Sequence, residues 1–230
     1  ISKKNFTWVR ASLSLVEAVS RFGAKRVVIA GTCAEYDWRD GWCSEEATPL
    51  KPITPYGIAK HSLHQELEAF AAKTRLSAAW GRIFFAYGPH ERPERFVPSM
   101  VLSLLKGQAA VCLHGALLRD FLHVSDIADA FVALLESEIC GPVNIASGRP
   151  VSLREIATRI ASELDGHHLM RFESAADTPD EPPLIAGNVH RLSRELGWSP
   201  RYDLNRGLAQ TIEWWRRHLR GGGSSPTSTA

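Results

Sequence analysis

A short run of β-branched residues, Val27-Val28-Ile29, is the feature that most constrains the fold of this 230-residue chain. It follows a predicted helix over residues 8–21, whose apolar side chains recur at helical spacing and which Gly23 is placed to end. A continuous apolar run of this kind is typical of a parallel strand that is buried on both faces. Helix, tight loop and buried strand in this order favour an α/β fold with a doubly wound parallel sheet.

Gly31 and Thr32 stand at the end of this predicted strand. Open α/β sheets bind their ligands at the carboxyl ends of their strands. Thr32 is therefore placed to hydrogen-bond a substrate oxygen, and a hydroxyl that caps the loop explains the same position equally well.

Tyr56 and Lys60 lie four residues apart on a second predicted helix, which Pro55 begins. Side chains at this spacing share one face, so we expect the Lys60 ammonium to lower the pKa of the Tyr56 phenol from its ordinary value of about 10. A tyrosine tuned in this way acts as a general acid-base near neutral pH. An exposed Tyr–Lys pair without function is the alternative at this point.

Composition narrows the classes of function. The formal net charge is +2 and no basic run indicates a nucleic-acid partner. No long apolar run or signal peptide indicates a membrane. No two of the four cysteines have metal-ligand spacing, so we predict no metal site, reduced thiols and a cytoplasmic protein. The chain starts at Ile1 rather than Met, and we expect residues that belong upstream to be missing from it.

The remaining chain continues to alternate between helix and strand. The sequence predicts a loop over 37–55, a strand over 77–85 and a helix within 93–107. It then predicts a helix capped by Ser125 or Asp126, a strand over 143–146 and a helix that the Ser152 capping box opens. The last predicted elements are a loop over 173–187, helical residues 189–196 and a helix over 204–219.

Six segments in this order resemble the extended short-chain dehydrogenase/reductase family of nucleotide-sugar epimerases, dehydratases and reductases. They are Thr32 with Tyr36, the run Tyr56-Gly57-Ile58-Ala59-Lys60, Arg82 with Tyr87-Gly88-Pro89, the run Arg119-Asp120-Phe121-Leu122-His123-Val124, the run Asn144-Ile145-Ala146-Ser147-Gly148, and Leu196-Gly197-Trp198-Ser199-Pro200. The resemblance covers nearly all of residues 5–219.

The resemblance implies a Rossmann-like doubly wound parallel sheet and a second, smaller lobe. Residues 1–89 and 121–148 would form the carboxyl-terminal part of an NAD(P)-binding domain, whose amino-terminal part is apparently missing. Residues 90–120 and 149–220 would form a mixed α/β substrate-binding lobe, and residues 221–230 a flexible tail. The resemblance also implies a homodimer that uses the helix of Tyr56 and the region near Trp8.

Roles for individual residues follow from the resemblance. Tyr56 would be the general acid-base, Lys60 would lower its pKa and bind the nicotinamide ribose, and Thr32 would hydrogen-bond the same substrate oxygen. The implied cofactor, NAD or NADP, would contact Gly31, Tyr56, Lys60 and Phe84. The implied contacts of a nucleotide-sugar substrate are Thr32, Cys33, Ala34, Phe85 and Arg119.

Three of these motif residues keep alternatives. Arg119 would pair with the nucleotide diphosphate, for which a bidentate guanidinium is suited, and a surface arginine is the alternative. Arg82 is assigned to structure as readily as to a ligand. His123 is expected to pack and support its loop rather than to contact a ligand.

The chain departs from the family pattern at three places. Cys33-Ala34 replaces the Asp-Glu pair of the sugar 4,6-dehydratases, which disfavours a dehydratase. Phe85 replaces the asparagine of many members and puts the usual diphosphate contact in doubt. No glycine-rich turn for a dinucleotide occurs in these residues, so by the family pattern this turn lies upstream of Ile1. We predict a nucleotide-sugar epimerase or ketoreductase, and the alternative is a non-catalytic cofactor-sensing or scaffold protein of the same fold.

Overall fold

A three-stranded parallel sheet lies at the centre of the first structural unit in the computed structural model, which describes residues 3–173 and 181–220. Its strands are β1 (Arg26–Thr32), β3 (Ser77–Ile83) and β8 (Gly141–Ile145), in the order β1-β3-β8. β1 pairs with β3 from Arg26 opposite Ser77 to Thr32 opposite Ile83. The predicted α/β fold with a parallel sheet is confirmed.

Helices cover both faces of this sheet. On one face, α1 (Lys3–Arg21) and α2 (Pro55–Lys73) bury a cluster that includes Trp80 of β3. On the other face, α4 (Val124–Glu136) packs on Ala79 of the same strand. Neighbouring strand residues point to opposite faces, so one apolar strand supplies both cores.

Short elements complete the first unit. Single 3-10 turns span Cys33–Glu35 and Trp38–Asp40, and a π-helical turn spans Arg191–Glu195. The short strands are β2 (Trp42–Cys43), β4 (Phe85–Tyr87), β6 (Leu118–Arg119), β7 (Phe121–His123) and β11 (Leu184–Gly187). β2 and β11 pair in parallel, with Ala186 opposite Trp42. The predicted loops over 37–55 and 173–187 are therefore wrong in part, because each contains a strand that the other stabilises.

A second unit contains three α-helices and three strands among its described residues, and two of these strands pair with each other. The elements are α3 (Phe96–Leu105), β5 (Ala110–Leu113), β9 (Val151–Ser152), α5 (Leu153–Glu163), β10 (Met170–Glu173) and α6 (Leu204–Arg220). β5 and β10 are parallel, with Met170 opposite Ala110. Ser152 caps α5 as predicted, since its hydroxyl accepts a hydrogen bond of 3.0 Å from Glu155 N.

The division between the units differs from the predicted one in the late chain. The first unit comprises residues 3–86, 119–150 and 182–200, and the second comprises the other described residues. The sequence predicts residues 182–200 in the substrate-binding lobe, whereas they pack with the first unit because β11 pairs with β2. The predicted tail over 221–230 lies outside the described residues.

The start of α4 corrects another prediction. His123 caps this helix, because its Nδ1 accepts a hydrogen bond of 3.3 Å from Ser125 N, and neither Ser125 nor Asp126 is the cap. The imidazole is 1% exposed. Burial lowers the pKa of His123, and Asp126 opposes that change. Its packing role in the loop is thus the one predicted.

Across the described residues, no helix combines the length and apolar character needed to cross a membrane.

Candidate active site

The turn after β1 is held by reciprocal hydrogen bonds between Thr32 and Glu35. The Thr32 hydroxyl accepts from Ala34 N at 3.2 Å, and the Glu35 carboxylate accepts from Thr32 N at 3.1 Å. Together with the bond to the third residue of the turn, this makes a capping box at the carboxyl end of the strand. The loop-capping alternative for Thr32 is therefore correct, and it does not exclude a second role.

The helix that carries Tyr56 lies directly against this turn. Thr54 caps α2 through a 3.0 Å bond from Gly57 N, and Pro55 begins the helix as predicted. At position 57 a Cβ atom would be only 2.4 Å from the Ala34 carbonyl oxygen. Glycine in Tyr56-Gly57-Ile58-Ala59-Lys60 thus allows the two backbones to approach, which brings Tyr56 to Thr32.

Tyr56 lies within hydrogen-bonding reach of Thr32, and its pKa moves opposite to the predicted direction. Burial raises the pKa of the phenol, and a hydrogen bond with the Thr32 side chain partly offsets this. The residue is 48% exposed, so desolvation is incomplete. The expected lowering by Lys60 is wrong for this structure: the ammonium donates to Ala30 O at 2.9 Å and lies 6.0 Å from the Tyr56 ring centroid.

Lys60 is itself perturbed by its position. Burial lowers the pKa of its ammonium, and the Glu35 carboxylate acts in the opposite direction. The long side chain reaches past the phenol to the backbone of β1, a partner that helical spacing does not reveal. Thr32, Tyr56 and Lys60 are still brought to one place, at the end of β1.

A cavity of about 250 Å³ adjoins Tyr56 and Lys60. Its other wall is one face of α1, formed by Asn5, Trp8, Val9 and Ser12. Sequence reasoning missed these residues, although their i, i+3, i+4, i+7 spacing marks a single helix face. The amide, hydroxyl and ammonium groups around the cavity suit the hydroxyl groups of a sugar ring, and the indole offers a flat apolar surface.

Behind the turn lies a buried polar network that includes Arg82. This guanidinium is 1% exposed; its Nε donates to Glu35 Oε2 at 3.2 Å and its Nη1 to the Tyr36 hydroxyl at 2.9 Å. The Tyr36 hydroxyl in turn donates to Asn144 Oδ1 at 2.8 Å. Of the two roles considered for Arg82, the structure supports the structural one, because the guanidinium is buried and pairs with Glu35.

Gly31 and Phe84, the other predicted cofactor contacts, are buried. A Cβ atom at Gly31 would be 2.2 Å from Trp80 Nε1, so this glycine is required by packing. Phe84 belongs to an apolar cluster with Cys33, Tyr36 and Ile185. Their contact with a cofactor stays a prediction.

The predicted substrate contacts lie in two groups. Cys33 and Ala34 form the turn beside Thr32, and burial raises the pKa of the Cys33 thiol well above its usual range. Phe85 and Arg119 lie together elsewhere in the first unit, with the guanidinium carbon 5.7 Å from the ring centroid. Arg119 is 3% exposed and donates to Pro182 O at 2.9 Å, so the surface alternative is wrong. Binding of a diphosphate by Arg119 stays a prediction.

Asp120, beside Arg119, joins three segments of the first unit. Its buried carboxylate accepts hydrogen bonds from Ser147 N, Ser147 Oγ, Gly148 N and Gly187 N, at 2.8, 2.5, 3.0 and 3.2 Å. Burial raises the pKa of Asp120, and these bonds counteract the change. The motif around Arg119 is therefore in part a structural junction.

Glu35, His61 and His64 offer ligand atoms that lie within 4.8 Å of one another. The Arg82 guanidinium already binds Glu35 Oε2, at 3.2 Å. A fixed positive charge on one ligand opposes a metal cation. We assign no metal to this cluster.

Comparison with known proteins adds a family to this geometry. Residues 5–146 match the model of the NAD dependent epimerase/dehydratase family. A UDP-glucose 4-epimerase from Azospirillum brasilense is 30% identical over 230 residues, which cover 90% of this chain and 65% of the relative. A dTDP-glucose 4,6-dehydratase from Streptomyces griseus is 30% identical over 215 residues, which cover 92% of this chain and 65% of the relative.

Solved structures support the same grouping. MoeE5 in complex with UDP-glucose and NAD is 32% identical, with a TM-score of 0.79 over 89% of this chain and 69% of that one. The Rossmann-like fold is thereby confirmed. The chain spans 59, 65 and 52% of the length of three of the curated relatives that it matches. Because these relatives include both epimerases and 4,6-dehydratases, similarity alone does not support disfavouring a dehydratase.

Proposed function

Because this chain belongs to the NAD-dependent epimerase/dehydratase family, we propose that it provides the acid-base site of an enzyme that oxidises or reduces a carbon of a nucleotide sugar. The observation that carries the proposal is the approach of the Tyr56 phenol to the Thr32 hydroxyl at the carboxyl end of β1. A single substrate oxygen can be held by both groups there. Lys60 lies one helical turn away, on the same side.

Residues of this chain carry out the proton transfers in this proposal. In the oxidative direction, the Tyr56 phenolate accepts the proton of a sugar hydroxyl as that carbon becomes a carbonyl; in the reductive direction, the Tyr56 phenol donates its proton to the oxygen as the hydroxyl forms. Thr32 Oγ1 orients the same oxygen. Burial raises the pKa of Tyr56 and so favours the phenol, the form that acts as the acid toward a carbonyl.

The cavity between α1 and α2 supports a nicotinamide dinucleotide as the cofactor, because Asn5, Ser12 and Lys60 offer polar groups to a ribose. When bound, this cofactor supplies the hydride acceptor and donor. MoeE5 has been solved with NAD, and we propose NAD over NADP for this chain on that similarity. Gly31 and Phe84 would support the site from within the sheet rather than touch the cofactor's polar groups.

We propose an epimerase or a ketoreductase rather than a 4,6-dehydratase. Elimination of water needs an acid and a base beside the sugar, and the turn offers only Cys33 and Ala34 in the relevant positions. Burial raises the pKa of the Cys33 thiol, which makes it a poor base. The adjacent carboxylate, Glu35, is 0% exposed and binds Arg82 and Trp80, so it does not reach a substrate.

Mass spectrometry of the product distinguishes these reactions. The full reading frame that contains this chain is incubated with UDP-glucose and NAD, and with a 4-keto sugar nucleotide and NADH. Epimerisation gives an isomer of unchanged mass, which chromatography before the mass measurement separates from the unreacted substrate; reduction adds two hydrogens, and dehydration removes a water. A dehydrated product would overturn the choice of epimerase or ketoreductase while leaving the family intact.

The variant Tyr56→Phe tests the assignment of the acid-base. Removing a general acid-base lowers kcat by about 10²- to 10⁴-fold. Tyr202→Phe is the matched control, since it removes a phenol oxygen that contacts Gln210 in the second unit. Equal rates for Tyr56→Phe and the wild type would exclude Tyr56 as the acid-base. Failure of NAD(H) and NADP(H) to bind in calorimetry would favour the non-catalytic scaffold instead.

The proposal also includes the protein's assembly and compartment. Exposed apolar side chains on α1 and near the start of α2 favour a homodimer through these two helices; they include Leu15 and Ile53 at 64 and 69% exposure. All four cysteines are free thiols, which agrees with a reducing, cytoplasmic setting.

A further inference from the structure

The carboxylate of Glu35 connects the turn of Thr32 to the central sheet. Its Oε1 accepts hydrogen bonds from Thr32 N at 3.1 Å and from Trp80 Nε1 at 2.8 Å, and its Oε2 accepts from Arg82 Nε at 3.2 Å. The residue is 0% exposed. Desolvating a charged side chain is costly even when it is paired, so its presence needs a reason other than stability.

We propose that Glu35 is a positioning residue of the acid-base site, which holds Thr32 against the Tyr56 phenol and places a negative charge behind both Tyr56 and Lys60. The inference rests on the proposed role of Tyr56. Glu35 itself does not contact the substrate.

The positioning part follows from the hydrogen bonds. Thr32 ends β1, and its N–H points to a carboxylate that two side chains of β3 hold in place. Trp80 is 1% exposed and stacks on His64, with ring centroids 4.7 Å apart, so this support is rigid. Loss of the carboxylate would release the Thr32 backbone and, with it, the hydroxyl that meets Tyr56.

The electrostatic part depends on which groups around Tyr56 carry charge. Cys33 and Glu35 face it from the turn, Lys60 lies on its own helix, and α1 contributes the uncharged Asn5, Trp8 and Ser12 to the adjoining cavity. Burial raises the pKa of Cys33, so the thiol is neutral near pH 7. Glu35 is thus the negative charge that opposes ionisation of the phenol.

Four ionisable side chains surround the Glu35 carboxylate. Arg82 of β3 binds it directly, and His61, His64 and Lys60 face it from α2. Burial, followed by Arg82, lowers the pKa of His64 to about 3, so this imidazole is uncharged. The same carboxylate raises the pKa of Lys60 against the lowering by burial and so favours its charged form. One buried residue therefore acts on both partners of the motif.

The test compares Glu35→Gln with the wild type by ultraviolet titration of the Tyr56 phenol, taken as the difference from the same protein carrying Tyr56→Phe. Glutamine keeps an oxygen for the Thr32 N–H and removes the charge. We expect Tyr56 to ionise at lower pH, and kcat to fall about tenfold or more, because the glutamine NH₂ would meet the Arg82 Nε–H donor and hold the turn of Thr32 less firmly. The limb of the pH–rate profile that belongs to Tyr56 should move to lower pH as well.

Glu45→Gln is the matched control. Glu45 is a largely buried carboxyl that accepts a 2.8 Å bond from Asn144 N, and it is not among the groups that shift the pKa of Tyr56. Its removal should leave the phenol titration unchanged. An unchanged titration in Glu35→Gln would overturn the proposal, even if kcat falls, because a purely structural role predicts only that fall.

Glu35→Gln leaves Arg82 buried without its partner and can prevent folding. The double variant Glu35→Gln/Arg82→Met removes both charges, and the phenol titration is then made on that protein, with the same expected direction. The titration needs no turnover. If Tyr56→Phe shows that Tyr56 is not the acid-base, the proposed function fails. The effect of Glu35 on the ionisation of the Tyr56 phenol is tested separately by the titration.

Discussion

The backbone of Gly31 lies against the indole of Trp80. A Cβ atom at position 31 would be 2.2 Å from Nε1 and 2.5 Å from Cε2 of that ring. Trp80 is 1% exposed and lies between the sheet and α2, where its ring stacks on His64, so a shift of the ring would disturb a packed core. Because the same Nε1–H donates to Glu35, sheet packing at Gly31 and the geometry of the turn of Thr32 depend on each other.

Gly31→Ala should therefore destabilise the protein by about 1–3 kcal/mol, the usual cost of overpacking a core. Denaturant unfolding monitored by tryptophan fluorescence measures this loss. In a Trp80→Leu background the same change should cost less, because the clashing ring atoms are absent. Equal costs in the two backgrounds would show that Trp80 is not what excludes a side chain at position 31.

Local sequence patterns predicted the elements whose partners are near in the chain. β1 is a continuous apolar run, and α2 begins at Pro55 as expected. The pairing of β2 with β11 joins residues 42–43 to residues 186–187, and nothing in either segment alone indicates a strand. Two-residue strands depend on a distant partner, so single-sequence periodicity does not reveal them.

The candidate site was only partly predictable, because some of its contacts also join segments that are distant in the sequence. The order of motifs is sufficient to place Tyr56 near Thr32, yet the pKa of Tyr56 depends on burial and on Lys60 donating to Ala30 O, neither of which the i, i+4 spacing contains. Glu35 was overlooked because its three hydrogen-bond donors come from its own turn and from β3, 45 residues or more away.

Gly57→Ala should affect kcat more strongly than the free energy of unfolding. The added Cβ would be 2.4 Å from Ala34 O, a backbone atom that moves only with the whole turn, so α2 and Tyr56 must shift away from Thr32. A displacement on the order of 1 Å at a catalytic group can cost about 100-fold in rate, which steady-state kinetics would measure. Gly115→Ala is the control: its Cβ would be 3.3 Å from the nearest atom, in the second unit. Similar kcat values for both variants would contradict the argument.

The free energy of unfolding should fall in acid, because the folded protein holds His64 in its uncharged form. Burial, then Arg82, lowers its pKa to about 3 from 6.5, and one face of the imidazole stacks on Trp80. The carboxylates of Glu35 and Glu68, at 3.6 and 3.3 Å, favour protonation, but Arg82 already pairs with the first and the second is exposed. The folded state binds the proton more weakly than the unfolded state, so this stabilisation is complete above pH 6.5 and lost as pH falls toward 3.

Denaturant unfolding of wild type and His64→Gln between pH 8 and pH 4 measures this effect. The difference between them should change by an amount on the order of 1–3 kcal/mol across that range, with the wild type losing more stability in acid. His168→Gln changes an exposed imidazole in the second unit and serves as control. Parallel stability curves for wild type and His64→Gln would show that His64 is not the group responsible.

Leu15→Lys should convert the proposed homodimer to a monomer. This side chain is 64% exposed on α1, and the lysine would bring an unpaired charge into the interface. Light scattering coupled to gel filtration gives the mass directly. Val132→Lys, at an exposed apolar site on α4, should leave that mass unchanged. A wild-type protein that is itself monomeric at micromolar concentration would rule out this interface.

Glu91→Gln should stabilise the protein above pH 7. Burial raises the pKa of this carboxyl to about 7, against the opposing influence of Arg95 and of the Gly88 backbone, and its Oε2 has no hydrogen-bond partner. The folded state binds the proton more tightly than the unfolded state, so stability is complete below about pH 4.5 and falls as pH rises through 7. Glutamine removes that penalty, by an amount on the order of 1–3 kcal/mol at pH 8.5 and little at pH 4.5.

Urea unfolding at the two pH values, with the exposed Glu94→Gln as control, measures the gain. An equal gain at both pH values would mean that packing, rather than ionisation of Glu91, is its cause.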